Sequence, residues 1–190
     1  MQEMTPKRRY NEIIELLQSG SESEAEQLCR QAVDDNGDVN FIALLGTILA
    51  RRDDLEAAES HLRRAVQIAP AYPKANEELG SVLLNRGKPE EAIPFLRKAT
   101  ELSPSSAECF FKLGGALKLA GDNDGASAAF AESQRLSPSK AKLEDASRLF
   151  AAKKFREAEK LAQELIFENP RDVNAALLLS KIAMDASCYS

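Results

Sequence analysis

Asn76-Glu77-Glu78-Leu79-Gly80-Ser81-Val82-Leu83, continued by Gly87, Ala92, Leu96, Ala99 and Pro104, decides how this chain folds. The same kinds of residue return 34 positions away on either side. Upstream stand Ile42, Leu45, Gly46 and Leu49, then Asp53, Ala58, Leu62, Ala65 and Pro70. Downstream stand Phe110, Leu113, Gly114 and Leu117, then Gly121, Ala126, Phe130, Ser133 and Pro138. Each period has the physics of a helical hairpin. Large residues at i, i+3 and i+7 put one apolar stripe on a first helix. Gly beside the central Leu, and a small Ala on the second helix, let the two backbones approach closely. Asp53, Gly87 and Gly121 fall in the tight turn between the helices, where a positive φ suits glycine. The closing proline cannot continue a helix and turns the chain back.

Such a period, found three times in one register, is the signature of stacked helical repeats. The order large–x2–Leu–Gly–x2–large, then Ala–x3–large, then Pro, resembles the tetratricopeptide repeat family. That resemblance implies an all-α fold: a right-handed α-solenoid of about five helix pairs with a final unpaired helix. The expected repeats cover 6–38, 39–72, 73–106, 107–138 and 139–172, with a partial one at 173–186, in a single superhelix over 1–190. The outer repeats are less regular. The first, carrying Gly20, Ala25, Cys29 and Ala32, ends at Gly37 rather than a proline and is one residue short. The fifth carries Ala146, Leu149, Phe155, Ala158, Ala162 and Pro170, and Pro138 to Pro170 spans 32 residues. Helices are expected near 6–18, 22–34, 39–51, 54–68, 73–86, 89–102, 106–120, 123–136, 140–152, 155–168 and 172–186. Pro89 suits a helix start; Pro94, inside the same helix, predicts a slight kink.

Composition narrows the function. The 190 residues are 44% hydrophobic and 29% charged, enough apolar surface for a core. Net charge is −5, with both signs mixed along the chain and no basic stripe, which excludes the electrostatic footprint of nucleic-acid binding. Anionic lipid would repel the molecule on average. No apolar run approaches the ~20 residues that span a bilayer. The amphipathic Asn11–Leu17 segment after Lys7, Arg8 and Arg9 is no signal h-region, so a cytoplasmic location is expected. Cys29, Cys109 and Cys188 are odd in number and form no CxxC pair; they read as small buried hydrophobes.

Motifs that could carry chemistry dissolve on inspection. His61, the single histidine, falls on a second helix toward solvent, with no Cys or acid at i±3 or i±4. Asp122-Asn123-Asp124-Gly125 starts like a calcium loop, but Ala126 takes the fifth place and Ser133 the twelfth. It reads instead as a turn and helix N-cap. Gly114-Gly115 lies mid-helix with no preceding strand, at the helix-packing place of the repeat. No enzyme activity, metal or cofactor is expected.

The family resemblance implies a concave groove lined by the second, fifth, sixth, ninth, twelfth and thirteenth places of each repeat. Here those are Asn40, Ala43, Leu44, Thr47, Ala50 and Arg51; Lys74, Glu77, Glu78, Ser81, Leu84 and Asn85; and Glu108, Phe111, Lys112, Gly115, Lys118 and Leu119. From these, Thr47, Arg51, Lys74, Glu77, Glu78, Ser81, Asn85, Glu108, Phe111, Lys112 and Lys118 are the expected ligand-binding residues. Phe111 should be partly exposed and Phe110 buried. Co-chaperone relatives clamp a terminal carboxylate with Lys and Asn. The corresponding places here include Ala43, Thr47, Glu78, Glu108 and Lys112, and the two acids would repel a carboxylate. The Asn ladder of relatives attached to glycosyltransferases is replaced by Leu44, Glu78 and Lys112.

The implied function is a protein-interaction scaffold that binds a peptide or protein segment. An alternative is a docking or regulatory arm of a larger enzyme. The stretches from Ala25 to Cys29, Glu78 to Leu83 and Phe111 to Leu117 are similar to repeats that precede sulfotransferase domains in some bacterial proteins, whose catalytic domain would lie outside this chain. In the last helix, Ala176, Leu179 and Ala183 should pack back on the fifth repeat, leaving Leu178 and Ile182 uncovered. That predicts either a chain continuing past Ser190 or a homodimer through this helix.

Overall fold

The structure, a computed structural model, describes residues 5–170 and 172–187; Cys188 lies outside them. Among the described residues there are eleven helices and no strand. They are α1 (Pro6–Gln18), α2 (Glu22–Asn36), α3 (Val39–Arg51), α4 (Leu55–Ile68), α5 (Pro73–Asn85), α6 (Pro89–Leu102), α7 (Ala107–Leu119), α8 (Asn123–Leu136), α9 (Pro138–Ala151), α10 (Phe155–Glu168) and α11 (Val173–Ser187). Every helix ends within two residues of its expected bounds. Pro138 differs in role: it opens α9 at the first helical position, where its missing N–H is not needed. α6 continues as one helix through Pro94.

Chain packing divides the molecule into two units, residues 1–130 and 131–190. In the first, α1/α2, α3/α4 and α5/α6 pair as hairpins, and each second helix packs on the next first helix. α3, α5 and α7 lie side by side. The turns between paired helices reuse one left-handed residue: Gly20, Asp53, Gly87 and Gly121 have φ of 84°, 65°, 71° and 86°. The core of this unit runs from Ile13 to Ala129 and is built from the residues that carry the period, Leu45, Leu62, Leu79, Leu96 and Leu113 among them. In the second unit α9 and α10 pair, and α11 packs on both. Its smaller core joins Ala146, Ala158, Ala162, Leu178 and Ile182.

The repeat glycines sit where they do because a partner side chain fills the space. A Cβ on Gly46 would stand 2.6 Å from Leu62 Cγ, and one on Gly114 would stand 2.7 Å from the Phe130 ring. Gly115, its neighbour, has open space. The tandem glycines therefore have opposite meanings. Gly114→Ala is expected to cost about 1 kcal/mol by displacing half-buried Phe130. Gly115→Ala is expected to stabilise the chain by about 0.5–1 kcal/mol through helix propensity. Urea midpoints of the two variants check this, and equal shifts would contradict it.

Two junctions between repeats are also fastened by ions. Glu26 on α2 binds Arg52 in the α3–α4 turn. At the equivalent places one repeat on, Glu59 on α4 binds Arg86, at 2.6 Å. Glu59 further accepts from Arg63 at 2.7 Å and Lys88 at 3.2 Å. Glu59 is buried, although no motif of the sequence marks it.

α11 corrects one expectation. Leu178 and Ile182 are only 8% and 1% exposed, so they offer no surface for self-association. They turn into the core with Ala146, Ala158 and Ala162. In earlier repeats the corresponding places are Lys112 and Ala116, on the side facing the previous repeat. Ala176 and Ala183, expected to pack back, are exposed, and Leu179 is half-buried. Their places are those of Phe110, Leu117 and Leu113, which face a second helix. α11 has no such hairpin partner among the described residues, and its large exposed apolar side chains are Val173, Leu177 and Met184.

Candidate functional site

The first helices of unit 1 present the residues expected to line a groove. The centre of that face is a line of alternating charges on α5 and α7. Lys74 pairs with Glu78 at 2.8 Å and with Glu77 at 3.3 Å. Lys112 pairs with Glu77, and with Glu108 at 3.0 Å. Glu77 sits between both ammoniums and is buried. The order Glu78–Lys74–Glu77–Lys112–Glu108 follows from geometry: Lys74 and Glu78 are one turn apart on α5, Glu108 and Lys112 one turn apart on α7, and α5 lies against α7. Burial on its own would lower the pKa of Lys74 and Lys112. The carboxylates beside them outweigh it and raise both, so the two ammoniums stay charged.

Beside this line stands Phe111, 42% exposed, its ring 5.6 Å from that of Phe130. Phe110 is half-buried rather than fully buried, and Cys109 beside it takes the deeper place. Asn85, Lys118 and Leu119 are exposed as the register requires. The hydroxyls of Thr47 and Ser81 donate to the carbonyls of Ala43 and Glu77, at 3.1 and 3.0 Å. Arg51 pairs with Glu22 on α2 at 2.8 Å. Ala43 and Leu44, expected to line the groove, belong to the core.

The first repeat contributes further residues to this face, beyond those expected from the sequence. Counting back from the α1–α2 turn at Gly20 puts Lys7, Tyr10 and Ile14 at the second, fifth and ninth places. The missing position in that repeat hid the correspondence, and the left-handed turn residue restores it.

The remaining motifs settle into structural roles. Asp122 caps α8, its Oδ1 accepting from the Gly125 N–H at 2.9 Å. His61 is half-buried rather than solvent-facing; burial first, then Arg30 and Arg64, lower its pKa. Cys29 is buried and its Sγ lies 3.3 Å from the Phe41 carbonyl; burial pushes the thiol up to about 12, away from reactivity. Among the described residues no three His, Cys, Asp or Glu side chains converge as metal ligands, and no helix is long and apolar enough to cross a membrane.

Two sequence models of the tetratricopeptide repeat match residues 10–73 and 49–108, together more than half of the chain. The chain belongs to the tetratricopeptide repeat family. No curated protein matches it. Solved structures of family members share its fold. A thermophilic tetratricopeptide repeat protein of Thermus thermophilus is 16% identical, with TM-score 0.72 over 95% of this chain and 100% of that one. MamA from Desulfovibrio magneticus RS-1 is 20% identical, with TM-score 0.67 over 89% and 99%. YrrB, described as a tetratricopeptide repeat protein with an unusual peptide-binding site, is 18% identical, with TM-score 0.64 over 92% of each chain.

Proposed function

We propose that this chain is a non-catalytic scaffold whose first-helix face in residues 1–130 binds an extended segment of a partner protein. The observation that carries the reading is Phe111: a large aromatic, 42% exposed, beside charges already fixed by one another. Aromatic side chains, Phe among them, are enriched in the cores of protein interfaces, where they act as anchors. The charge line supports a neutral or mixed ligand over a bare carboxylate, since each ammonium already holds two acids. The peptide-binding site of YrrB shows that one protein of this fold takes peptides. The alternative, a docking arm of a larger enzyme, gains nothing from these comparisons.

Affinity capture from the native host with the whole chain as bait tests the reading. For a partner so obtained, Phe111→Ala should weaken binding by about 1–2 kcal/mol in calorimetry. An unchanged affinity would remove Phe111 from the site.

A further inference from the structure

A second feature lies at the other end of the same face. Between the start of α1 and the start of α3 is a cleft of about 300 Å³, lined by Pro6, Lys7, Tyr10, Asp38, Asn40 and Phe41. Its floor is aromatic: the Tyr10 and Phe41 rings lie 6.0 Å apart and tilted by 53°. Phe41 is held from beneath by the core and Tyr10 is half-buried, so the walls are preformed. Tyr72, at the start of α5, is half-buried against the same core, and burial first, then nearby Tyr10 and Asp38, raise its phenol pKa.

We propose that this cleft is an anchor pocket for one neutral apolar side chain, aliphatic or aromatic, of an extended partner segment. The proposal rests on the groove reading above and names the class of side chain that the groove selects. Volume limits the occupant: 300 Å³ is at the bottom of the range for ligand sites and suits one large side chain rather than a cofactor. Charge limits it further. Lys7, without an ion pair among the described residues, and the Asp38 carboxylate both stand at the mouth. A basic side chain would meet Lys7 and an acidic one Asp38, so neither sign is favoured. Asp38 Oδ1 already accepts from the Asn40 backbone N–H at 2.8 Å and the Asn40 amide at 2.9 Å, which fixes the rim. An apolar side chain can then bury itself on Tyr10 and Phe41 while its own backbone stays at the polar mouth.

The probes are four capped amino acids titrated into the ¹⁵N-labelled full chain: N-acetyl-leucinamide, N-acetyl-phenylalaninamide, N-acetyl-lysinamide and N-acetyl-glutamic acid amide. The two apolar probes should give saturable shifts centred on the amides of Tyr10, Asp38, Asn40 and Phe41, with about tenfold weaker effects from the two charged ones. Asn40→Trp, made at an exposed position that keeps the Asp38 cap, should fill the mouth and abolish the shifts. Shifts absent from the cleft, equal for charged probes, or undiminished in Asn40→Trp would overturn the proposal. A captured partner separates this idea from its parent. Binding lost in Phe111→Ala but kept in Asn40→Trp removes the anchor pocket and leaves the groove. Binding kept in both variants removes both, and loss in both supports both.

Discussion

Leu79→Ala is expected to lower the stability of the chain by about 2–5 kcal/mol, read from urea denaturation of the full chain. Leu79 is fully buried on α5, within the core that also holds Leu83, Ala92 and Leu96. Truncation removes three buried carbons, and the site has little means of closing over the void. Leu96, across the hairpin, is already wedged against the backbone of Gly80 and cannot advance further. Neighbouring Leu83 and Val82 are themselves fully buried, so shifting them would open a second gap. Leu119→Ala makes the same chemical change at a position 68% exposed and should stay within about 0.5 kcal/mol. A Leu79→Ala midpoint as high as that of Leu119→Ala would mean that the hairpin packing described above is wrong. Because each repeat touches only its neighbours, amide exchange in Leu79→Ala should quicken most in α5 and α6.

The helices were legible in the sequence because the hairpin demands small residues at fixed places. Gly46, Gly80 and Gly114 each face a large side chain of the paired helix, at Leu62, Leu96 and Phe130, and that demand repeats with the hairpin. Prolines mark the returns for an equally local reason. The covered face of α11 is the opposite of the expected one. In complete repeats the Leu179 place is buried by the second helix of the same hairpin, and α11 has none among the described residues. What remains covered is the side toward α9 and α10, at Ala175, Leu178 and Ile182.

The groove was legible as a set of places and not as a set of contacts. Glu77 reads in sequence as one more exposed acid on a polar face. It is buried because Lys74, three residues before it, and Lys112, one repeat later, both reach its carboxylate. Only the second of these depends on how α5 and α7 stack, and no local pattern encodes it. Tyr10 was hidden by the shortened first repeat. Ala43 and Leu44 looked accessible on family places alone, yet both belong to the core.

Among the residues that no sequence motif marks, Glu59 is the one whose loss should cost most. Its carboxylate is buried and accepts from Arg63 at 2.7 Å, Arg86 at 2.6 Å and Lys88 at 3.2 Å. Arg63 is held in turn by Glu91 at 2.6 Å and lies over the Phe95 ring, 5.9 Å from its centre. Glu59→Ala leaves three cations facing one another across the α4–α5 junction without the acid between them. Removing one partner of a fully buried pair costs about 3–5 kcal/mol. Here the cations are a quarter to a third exposed and can turn toward water, which brings the expected loss at pH 7 to about 2–3 kcal/mol. Glu101→Ala, which removes the exposed acid partner of Lys98, should cost less than about 0.5 kcal/mol. Acid should shrink the part of this loss that comes from charge. Burial by itself would raise the Glu59 pKa, but the hydrogen bonds from Arg63 and Lys88 outweigh it and hold the group below its ordinary value. A carboxylate lowered on folding stabilises the folded chain above its unfolded pKa of about 4.3. That contribution is lost as pH falls from there through the lower folded value. The gap between the natural chain and Glu59→Gln should therefore be full at pH 7 and shrink below about pH 4. A gap that persists undiminished at pH 2 would show that Glu59 acts by packing rather than by charge.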